Sequence, residues 1–249
     1  MELIKIASKW GNSAGVALPR NWIGKQVKIT FIDRTEKIKE EVLDILKEEM
    51  EDLIGIYLVG SYSRNEEEGE SDIDILAISS KSKKEISSGK YNISIYPLNS
   101  IKRTLKLNPV LIYPRILEAK TIFNKALLEE LKNEKIGNNK KYFEETKRIL
   151  KINKGIINMN SNEKVPDSVI YSLILRLRGV FLIKYIKNKK VLMKKDFYDS
   201  LVNLLGKNTK EIIESYKRIK NNLPEKEIID KEVAEKLLIN LKEGIKNGK

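Results

Sequence analysis

The spacing of apolar and polar positions changes twice along the chain, and each stretch predicts a different architecture. Residues 1–33 alternate apolar and polar positions over short runs separated by glycines, which is typical of small strands joined by tight turns. Residues 34–136 begin at helical spacing and continue with short apolar runs, which predicts a helix packed on a sheet. Residues 139–249 keep helical spacing throughout. We therefore expect an α+β fold with a small N-terminal β domain, an α/β core and a C-terminal helical bundle.

Within the α/β core, residues 35–54 predict an amphipathic helix because their apolar positions recur about every 3.6 residues. Three strands are predicted after it, at residues 56–59, 73–78 and 92–96. In the N-terminal domain, a strand is predicted around Val27 and Ile29. Gly137 and the two asparagines after it mark a linker to the helical part.

Five helices are predicted in the C-terminal part, ended by glycine, asparagine or proline. They cover residues 142–157, 168–186, 194–205, 210–220 and 231–245. The second of these helices is apolar enough to be the central one, yet it contains Arg176 and Arg178. A buried arginine needs an anionic partner. Each is therefore expected to form an internal salt bridge or, alternatively, to bind a phosphate over the active site.

The composition narrows the possible chemistry, because the 249 residues include no histidine and no cysteine. Disulfides, thiolate zinc sites and catalysis by Ser–His or Cys–His pairs are excluded. No apolar run approaches the roughly 20 residues that span a bilayer, and no signal peptide pattern is present. We expect a cytoplasmic protein without a membrane partner. The net charge of +13 is concentrated beyond residue 78, which leaves a polyanion partner and a solvated lysine-rich surface as alternatives.

The residues with the strongest chemical signal lie between positions 57 and 78. One apolar run ends at Gly60 and Ser61, and the next begins around Asp72 and Asp74. Residues two apart on a strand point to the same face, so the two carboxylates project together. Their oxygens suit a magnesium ion that also holds phosphate oxygens. Glycine lets the backbone approach a ligand closely, and serine adds a hydroxyl. The alternative is a polar loop between two strands with solvated aspartates.

This segment resembles the signature of the polymerase-β-type nucleotidyltransferases, in which Gly-Ser ends one strand and Asp-x-Asp lies on the next. The resemblance covers the small, minimal type of these enzymes. It implies that Gly60 and Ser61 bind a nucleoside triphosphate. It also implies that Asp72 and Asp74 are catalytic and bind Mg²⁺ or Mn²⁺.

The same family uses a third carboxylate on a later strand, and this chain departs from that pattern. On the predicted strand at residues 92–96, Ser94 stands where the acid is expected. A hydroxyl is a weaker magnesium ligand than a carboxylate and cannot act as a base at neutral pH. The only acidic residue nearby is Glu85, which is expected in a loop rich in serine and lysine. Metal and nucleotide binding are therefore better supported by the sequence than catalysis.

Residues 9–29 resemble the AbrB/SpoVT/MazE-type swapped-hairpin DNA-binding domains. The matching positions are Trp10 to Ser13, Gly15 and Val16, Leu18 and Pro19, and Gly24 to Val27. In that family two chains interlace into one small barrel that binds DNA. The resemblance implies a homodimer whose DNA-binding residues include Lys9, Asn12, Ser13 and Arg20. The alternative is a barrel that serves only for dimerisation, since about 33 residues bury too small a core to be stable alone.

Two functions remain open at this point. The first is an enzyme that transfers a nucleoside monophosphate from a nucleoside triphosphate to a hydroxyl, on a protein or RNA acceptor, coupled to DNA binding. The second is a DNA-binding regulator of antitoxin type, whose degenerate nucleotidyltransferase domain only binds nucleotide. The aspartate pair favours the first, and the missing third carboxylate favours the second.

Overall fold

The computed structural model of the protein describes residues 3, 5, 7–30, 34–69, 71–159 and 163–247. The chain divides into two compact units, Met1–Glu41 and Val42–Lys249. No helix among the described residues is long and apolar enough to cross a membrane.

The first unit contains a short hairpin. Strands β1 (Ser8–Trp10) and β2 (Ser13–Gly15) pair antiparallel, and Gly11 in the turn has a φ of +57°. A single 3-10 turn follows at Arg20–Trp22. The strand predicted around Val27 and Ile29 is wrong for this single chain, because residues 25–30 form no strand. A strand needs a hydrogen-bonded neighbour, and the described residues of this unit supply none there.

The second unit is built on a five-stranded mixed sheet in the order β5-β6-β4-β3-β7. Its strands are β3 (Leu53–Val59), β4 (Ile73–Ser79), β5 (Lys84–Ser88), β6 (Tyr91–Pro97) and β7 (Lys120–Phe123). The pairs β3–β4, β3–β7 and β5–β6 are antiparallel, and β4–β6 is parallel. The strands predicted at 56–59, 73–78 and 92–96 are confirmed within this sheet.

Helix α1 (Arg34–Ile45) is shorter than the helix predicted over residues 35–54. It is followed by a 3-10 turn, Lys47–Glu49. Leu53, the first residue of β3, pairs with Ser79 of β4. The apolar positions at the end of the predicted helix belong to a strand, because pairing on both sides of β3 overrides their helical spacing.

Helices cover the sheet and make up the rest of the second unit. Near the sheet lie α2 (Gly60–Ser63), α3 (Leu98–Leu107), α4 (Tyr113–Glu118) and α5 (Lys125–Asn133), with a 3-10 turn at Pro109–Leu111. Beyond them lie α6 (Lys140–Met159), α7 (Asp167–Lys187), α8 (Lys194–Leu205), a 3-10 turn at Gly206–Asn208, α9 (Thr209–Lys220) and α10 (Lys231–Asn247). All five helices predicted in this part are confirmed, with ends within two residues.

A two-stranded sheet in the C-terminal part was not predicted. Strands β8 (Lys164–Pro166) and β9 (Glu227–Asp230) pair antiparallel, each just before a long helix. Their central residues Val165 and Ile229 are buried. Strands of three and four residues leave too short an alternation to be read from a sequence.

The sheet and the C-terminal helices share one apolar core. It runs from Tyr57, Leu76 and Ile78 on the sheet to Leu173 of α7 and Leu241 of α10. The connection between α5 and α6 is packed rather than loose. The Gly137 N–H donates to the carbonyl of Leu105 (2.9 Å), and a Cβ at Gly137 would lie 1.8 Å from the carbonyl oxygen of Lys106.

Candidate active site

The single helical turn α2, which follows β3 and begins with Gly60 and Ser61, lies directly against the start of β4. Val59 pairs with Asp74 across the two strands, and Gly60 follows with a φ of +75°. A Cβ on Gly60 would lie 2.4 Å from Oδ2 of Asp74. Glycine is therefore required twice at this position, for its backbone conformation and for the close approach of the carboxylate. The structure thus brings Gly60, Ser61 and Asp74 together.

Hydrogen bonds fix the shape of this turn. The Gly60 carbonyl accepts from the hydroxyl of Ser63 (2.8 Å) and from the Arg64 N–H (3.4 Å). The Ser61 carbonyl accepts from the N–H groups of Arg64 (3.2 Å) and Glu66 (2.9 Å). The Ser61 side chain is half-buried.

The negative charge of Asp72 acts on Asp74, as expected for two residues on the same face of the chain. Asp74 is half-buried and Asp72 is exposed. The pKa of Asp74 is raised, mainly by burial; Arg115 and Lys220 lower it, while the negative charges of Asp72 and Glu118 raise it. A bound cation stabilises the ionised form of such a carboxylate, because it neutralises the charge that burial disfavours.

The strand next to β4 carries no carboxylate beside the aspartates. In the parallel pair of β4 and β6, Asp74 lies opposite Asn92, and Ser94 lies opposite Leu76. Residues opposite each other in register point to the same face, so Asn92, rather than Ser94, is the neighbour of Asp74. Alternation along β6 puts both residues on that face, and only the register distinguishes them. An amide oxygen is a neutral ligand and not a base.

Glu85 lies on strand β5 and not in a loop, so the loop prediction is wrong. It pairs with Ser94 across β5 and β6 and accepts a hydrogen bond from the hydroxyl of Tyr96 (2.8 Å). Two strand spacings, roughly 10 Å, separate it from β4. Among the described residues, no three or more Asp, Glu, His or Cys side chains form a group that could hold a metal ion. The candidate metal ligands are therefore the carboxylates of Asp72 and Asp74 at the start of β4, with the Asn92 amide opposite Asp74 on the next strand.

A buried ionic cluster supports the turn from the other side, and nothing in the sequence indicated it. Glu118, the last residue of α4, accepts from the Gly60 N–H through Oε1 (2.8 Å) and from Arg64 Nη1 through Oε2 (2.6 Å). Arg64 Nε donates to Oε2 of Glu66 (2.7 Å). The side chains of Arg64, Glu66 and Glu118 are 10–13% exposed. The fold alone brings Glu118 to Gly60, across 58 positions of the chain.

The C-terminal helices reach the same region. Glu66 Oε1 accepts from the N–H of Lys194 (2.7 Å), the first residue of α8. Glu68 forms an ion pair with the Lys194 side chain, whose hydrogen bond and charge hold the pKa of Glu68 below its usual value. Lys220, at the end of α9, also acts on Asp74. The candidate site is therefore bordered by both the sheet and the C-terminal helices.

Arg176 and Arg178 do not form the internal salt bridges that were predicted, since no ion pair to either occurs among the described residues. Arg178 is exposed, and its guanidinium acts on the hydroxyl of Tyr216. Arg176 is half-buried with its Nε unpartnered. The charges are tolerated because α7 leaves one side chain at the surface and the other only partly covered. The phosphate-binding alternative stays a prediction.

The residues predicted to bind DNA lie on the N-terminal hairpin and the turn after it. Lys9 is on β1, Asn12 is in the turn and Ser13 begins β2, where its hydroxyl donates to the Trp10 carbonyl (3.0 Å). Arg20 begins the 3-10 turn. All four predicted residues are exposed.

Comparison with known proteins gives one family and two similar structures. A family model described as a nucleotidyltransferase domain matches residues 37–227. Spectinomycin adenyltransferase AAD(9) from Enterococcus faecialis, solved with ATP and spectinomycin, is 16% identical with a TM-score of 0.45; the match covers 85% of this chain and 99% of that one. A nucleotidyltransferase-like protein from Exiguobacterium sibiricum is 12% identical with a TM-score of 0.32, covering 84% and 75%. No curated protein sequence matches the chain.

Proposed function

The chain belongs to the nucleotidyltransferase domain family, and we propose that it transfers a nucleoside monophosphate from a nucleoside triphosphate to a hydroxyl acceptor. The observation that carries this proposal is the contact of Gly60 with the Asp74 carboxylate, 2.4 Å from where a Cβ would lie. It puts the candidate phosphate-binding turn and the candidate metal ligands within one another's reach. The acceptor is a protein, an RNA or a smaller molecule.

In this reaction the acceptor oxygen attacks the α-phosphorus, the bond from that phosphorus to the bridging oxygen breaks, and pyrophosphate leaves. Asp72 and Asp74 are the residues that would hold Mg²⁺ or Mn²⁺. When bound, the metal ion neutralises charge on the phosphate oxygens and orients them. Ser61 offers its hydroxyl to the phosphates. Asn92 can accept a hydrogen bond from the acceptor hydroxyl but cannot take its proton, which leaves solvent as the proton acceptor.

The direct test is incubation with α-labelled nucleoside triphosphates, Mg²⁺ or Mn²⁺, and candidate proteins, RNAs and small hydroxyl compounds. Label transfer should fall at least about 100-fold in Asp72→Asn and Asp74→Asn. Glu85→Gln is the matched control, because that carboxylate lies two strands away on the same sheet, and it should leave transfer unchanged. If no label transfer depends on both aspartates, the enzymatic proposal is wrong.

A second function is favoured by Asn92 beside Asp74. A site without a third carboxylate is suited to binding nucleotide and metal without turnover, as expected for a DNA-binding regulator of antitoxin type. Calorimetric titration with ATP and Mg²⁺ separates the two functions when combined with the transfer assay. Binding without transfer supports the regulator, and binding with transfer supports the enzyme.

We also propose that the first 33 residues pair with a second copy of the chain and bind DNA. Three large apolar side chains of this segment are mostly exposed, Trp10 (73%), Ile23 (81%) and Ile29 (71%). An isolated chain exposes such residues together at a cost that a partner surface removes. Sedimentation of the full-length protein should give a dimer and removal of residues 1–33 a monomer. Equal monomeric masses would remove the dimer, and DNA binding that is insensitive to salt would argue against phosphate contacts.

A further inference from the structure

We propose that Arg64, Glu66 and Glu118 are positioning residues that fix the Gly60–Ser61 turn and join it to the C-terminal helices. This inference rests on the proposed function, since it assigns these residues a part in nucleotide binding. They form a continuous relay that begins at the Gly60 N–H and ends at Lys194 of α8.

The first link of the relay is Glu118. Both of its oxygens are used, one by the Gly60 N–H at 2.8 Å and the other by Arg64 Nη1 at 2.6 Å. A carboxylate with both oxygens engaged has one orientation, and it fixes its two partners relative to each other. The Gly60 N–H lies at the point where the backbone touches Asp74, so Glu118 holds the turn where the metal ligands are.

The second link is Arg64. Its backbone N–H closes the turn on the carbonyls of Gly60 and Ser61. Its side chain lies between Glu118 and Glu66, with hydrogen bonds of 2.6 and 2.7 Å. A guanidinium donates in a fixed planar arrangement, so Arg64 transmits the position of one carboxylate to the other.

The third link is Glu66, which connects the turn to another layer of the molecule. Its Oε2 accepts from Arg64 and its Oε1 from the backbone N–H of Lys194 at 2.7 Å. Lys194 is the first residue of α8, so its N–H has no partner within the helix. A displacement of α8 would therefore move Glu66 and, through Arg64 and Glu118, the turn that contacts Asp74.

Stability alone does not account for this cluster. Burying ions is costly, and an apolar cluster of the same volume often stabilises a fold as well or better. Here Glu118 also accepts a hydrogen bond from the Gly60 N–H, at the point where the backbone approaches the Asp74 carboxylate. The arrangement is explained if the relay defines where the turn lies rather than how stable the fold is.

The test measures the affinity of the full-length protein for ATP with Mg²⁺ by calorimetry. Arg64→Met and Glu118→Ala should each raise the Kd about 10-fold or more, the size of effect seen when residues behind a ligand-binding group are removed. Glu118→Gln should lie between these variants and the wild type, because its amide oxygen can still accept from the Gly60 N–H but its NH₂ opposes Arg64. If an active acceptor is found, KM for the nucleotide should rise more than kcat falls.

Asp167→Asn is the control for a merely structural role. Asp167 is also buried and pairs with an arginine, Arg218, at 2.6 Å. This variant should lower the melting temperature but change the Kd for ATP by less than about two-fold. Equal losses of affinity in Asp167→Asn and Glu118→Ala would make the relay a general stability effect and overturn the proposal.

Hydrogen exchange at the Gly60 amide separates this inference from the proposed function. Without ligand, the exchange rate should rise in Glu118→Ala and less so in Glu118→Gln, because the carboxylate protects that N–H. If the wild type binds no nucleotide, the proposed function fails while this measurement still tests the relay. An unchanged exchange rate at Gly60, or unchanged affinity in both Arg64→Met and Glu118→Ala, overturns it.

Discussion

Two buried ionic clusters in this protein use similar residues and reach opposite electrostatic balances. At the start of α7, the fully buried Asp167 accepts two hydrogen bonds from Arg218 (2.6 and 2.7 Å) and one from the Lys226 N–H (2.9 Å). Burial raises the pKa of Asp167, but these hydrogen bonds and the charge of Arg218 outweigh it, so the pKa lies below its usual value. The charges of this cluster are balanced within the protein.

The cluster at Gly60 is not balanced. Burial and the charges of Asp72 and Glu118 keep the pKa of Asp74 raised, although Arg115 and Lys220 oppose them. Arg64 is already shared between two glutamates. In the first cluster every charge has a partner within the protein, whereas a carboxylate whose pKa is raised, such as that of Asp74, would be stabilised by an external cation.

Breaking the balanced cluster should have the largest effect on stability. Arg218→Met leaves Asp167 buried without its cation, and we expect the free energy of unfolding to fall by roughly 3 kcal/mol. Because the pKa of Asp167 is lowered on folding, its contribution is present above about pH 3.8 and is lost as the pH falls through the folded pKa. Urea denaturation of both proteins over a pH series measures this. A variant as stable as the wild type at neutral pH would contradict the assignment.

Filling the close approach at the unbalanced cluster should have the next largest effect. Gly60→Ala puts a methyl group against Asp74 on a backbone with positive φ, and we expect a loss of roughly 2 kcal/mol. Nucleotide binding should weaken as the turn moves. Gly89 also has a positive φ (+56°) but has open space around its Cβ, so Gly89→Ala serves as the control. An equal loss in both variants would show that backbone strain alone matters at Gly60.

Removing the surplus charge should stabilise the protein slightly. Asp74→Asn eliminates a carboxylate whose pKa is raised by folding, so the free energy of unfolding at neutral pH should rise by about 0.5–1 kcal/mol. The sign is opposite to that of Asp167: the wild type should gain stability as the pH falls through the folded pKa of Asp74, and the variant should not. Metal-dependent nucleotide binding should be lost. A destabilised variant would mean that Asp74 is held as a structural residue.

Removing an exposed salt bridge should have the smallest effect on stability. Lys102 and Glu130 form a salt bridge of 2.8 Å at the surface, with 34% and 55% exposure. Exposed pairs contribute little because water screens them, so Glu130→Gln should leave the melting temperature unchanged. A clear drop would show that pairing itself, and not burial, determines the cost at Arg218.

The sequence predicted the proximity of those candidate site residues that lie near one another in the chain. The end of β3 and the start of β4 carry Gly60 and Asp74, and short-range alternation was sufficient to place them. The contact of Glu118 with Gly60 was missed because it depends on how α4 packs, and no spacing in the chain encodes it. Asn92 was missed because alternation leaves two residues on one face of β6, and register is a property of the pairing of two strands.

The helices of the C-terminal part were predicted well because amphipathic spacing persists over many residues in each of them. Arg176 and Arg178 show the limit of that reasoning. Helical spacing indicates which residues share a face, but the partner of an arginine comes from another helix. A buried salt bridge was expected at Arg176 and Arg178, but it is formed by Asp167 and Arg218. These two residues are 51 positions apart, so no local spacing indicated the pair.

The packing of Gly137 bears on how α6 could move. A glycine followed by two asparagines is typical of a flexible linker between domains. A Cβ on this glycine, however, would lie 1.8 Å from the carbonyl oxygen of Lys106. The segment between α5 and α6 is therefore packed against α3 at Gly137, without the free space expected at a hinge. A rotation of α6 about this segment would break the hydrogen bond from the Gly137 N–H to the Leu105 carbonyl. Inserting residues at position 137 should accordingly be as damaging as inserting them within a helix.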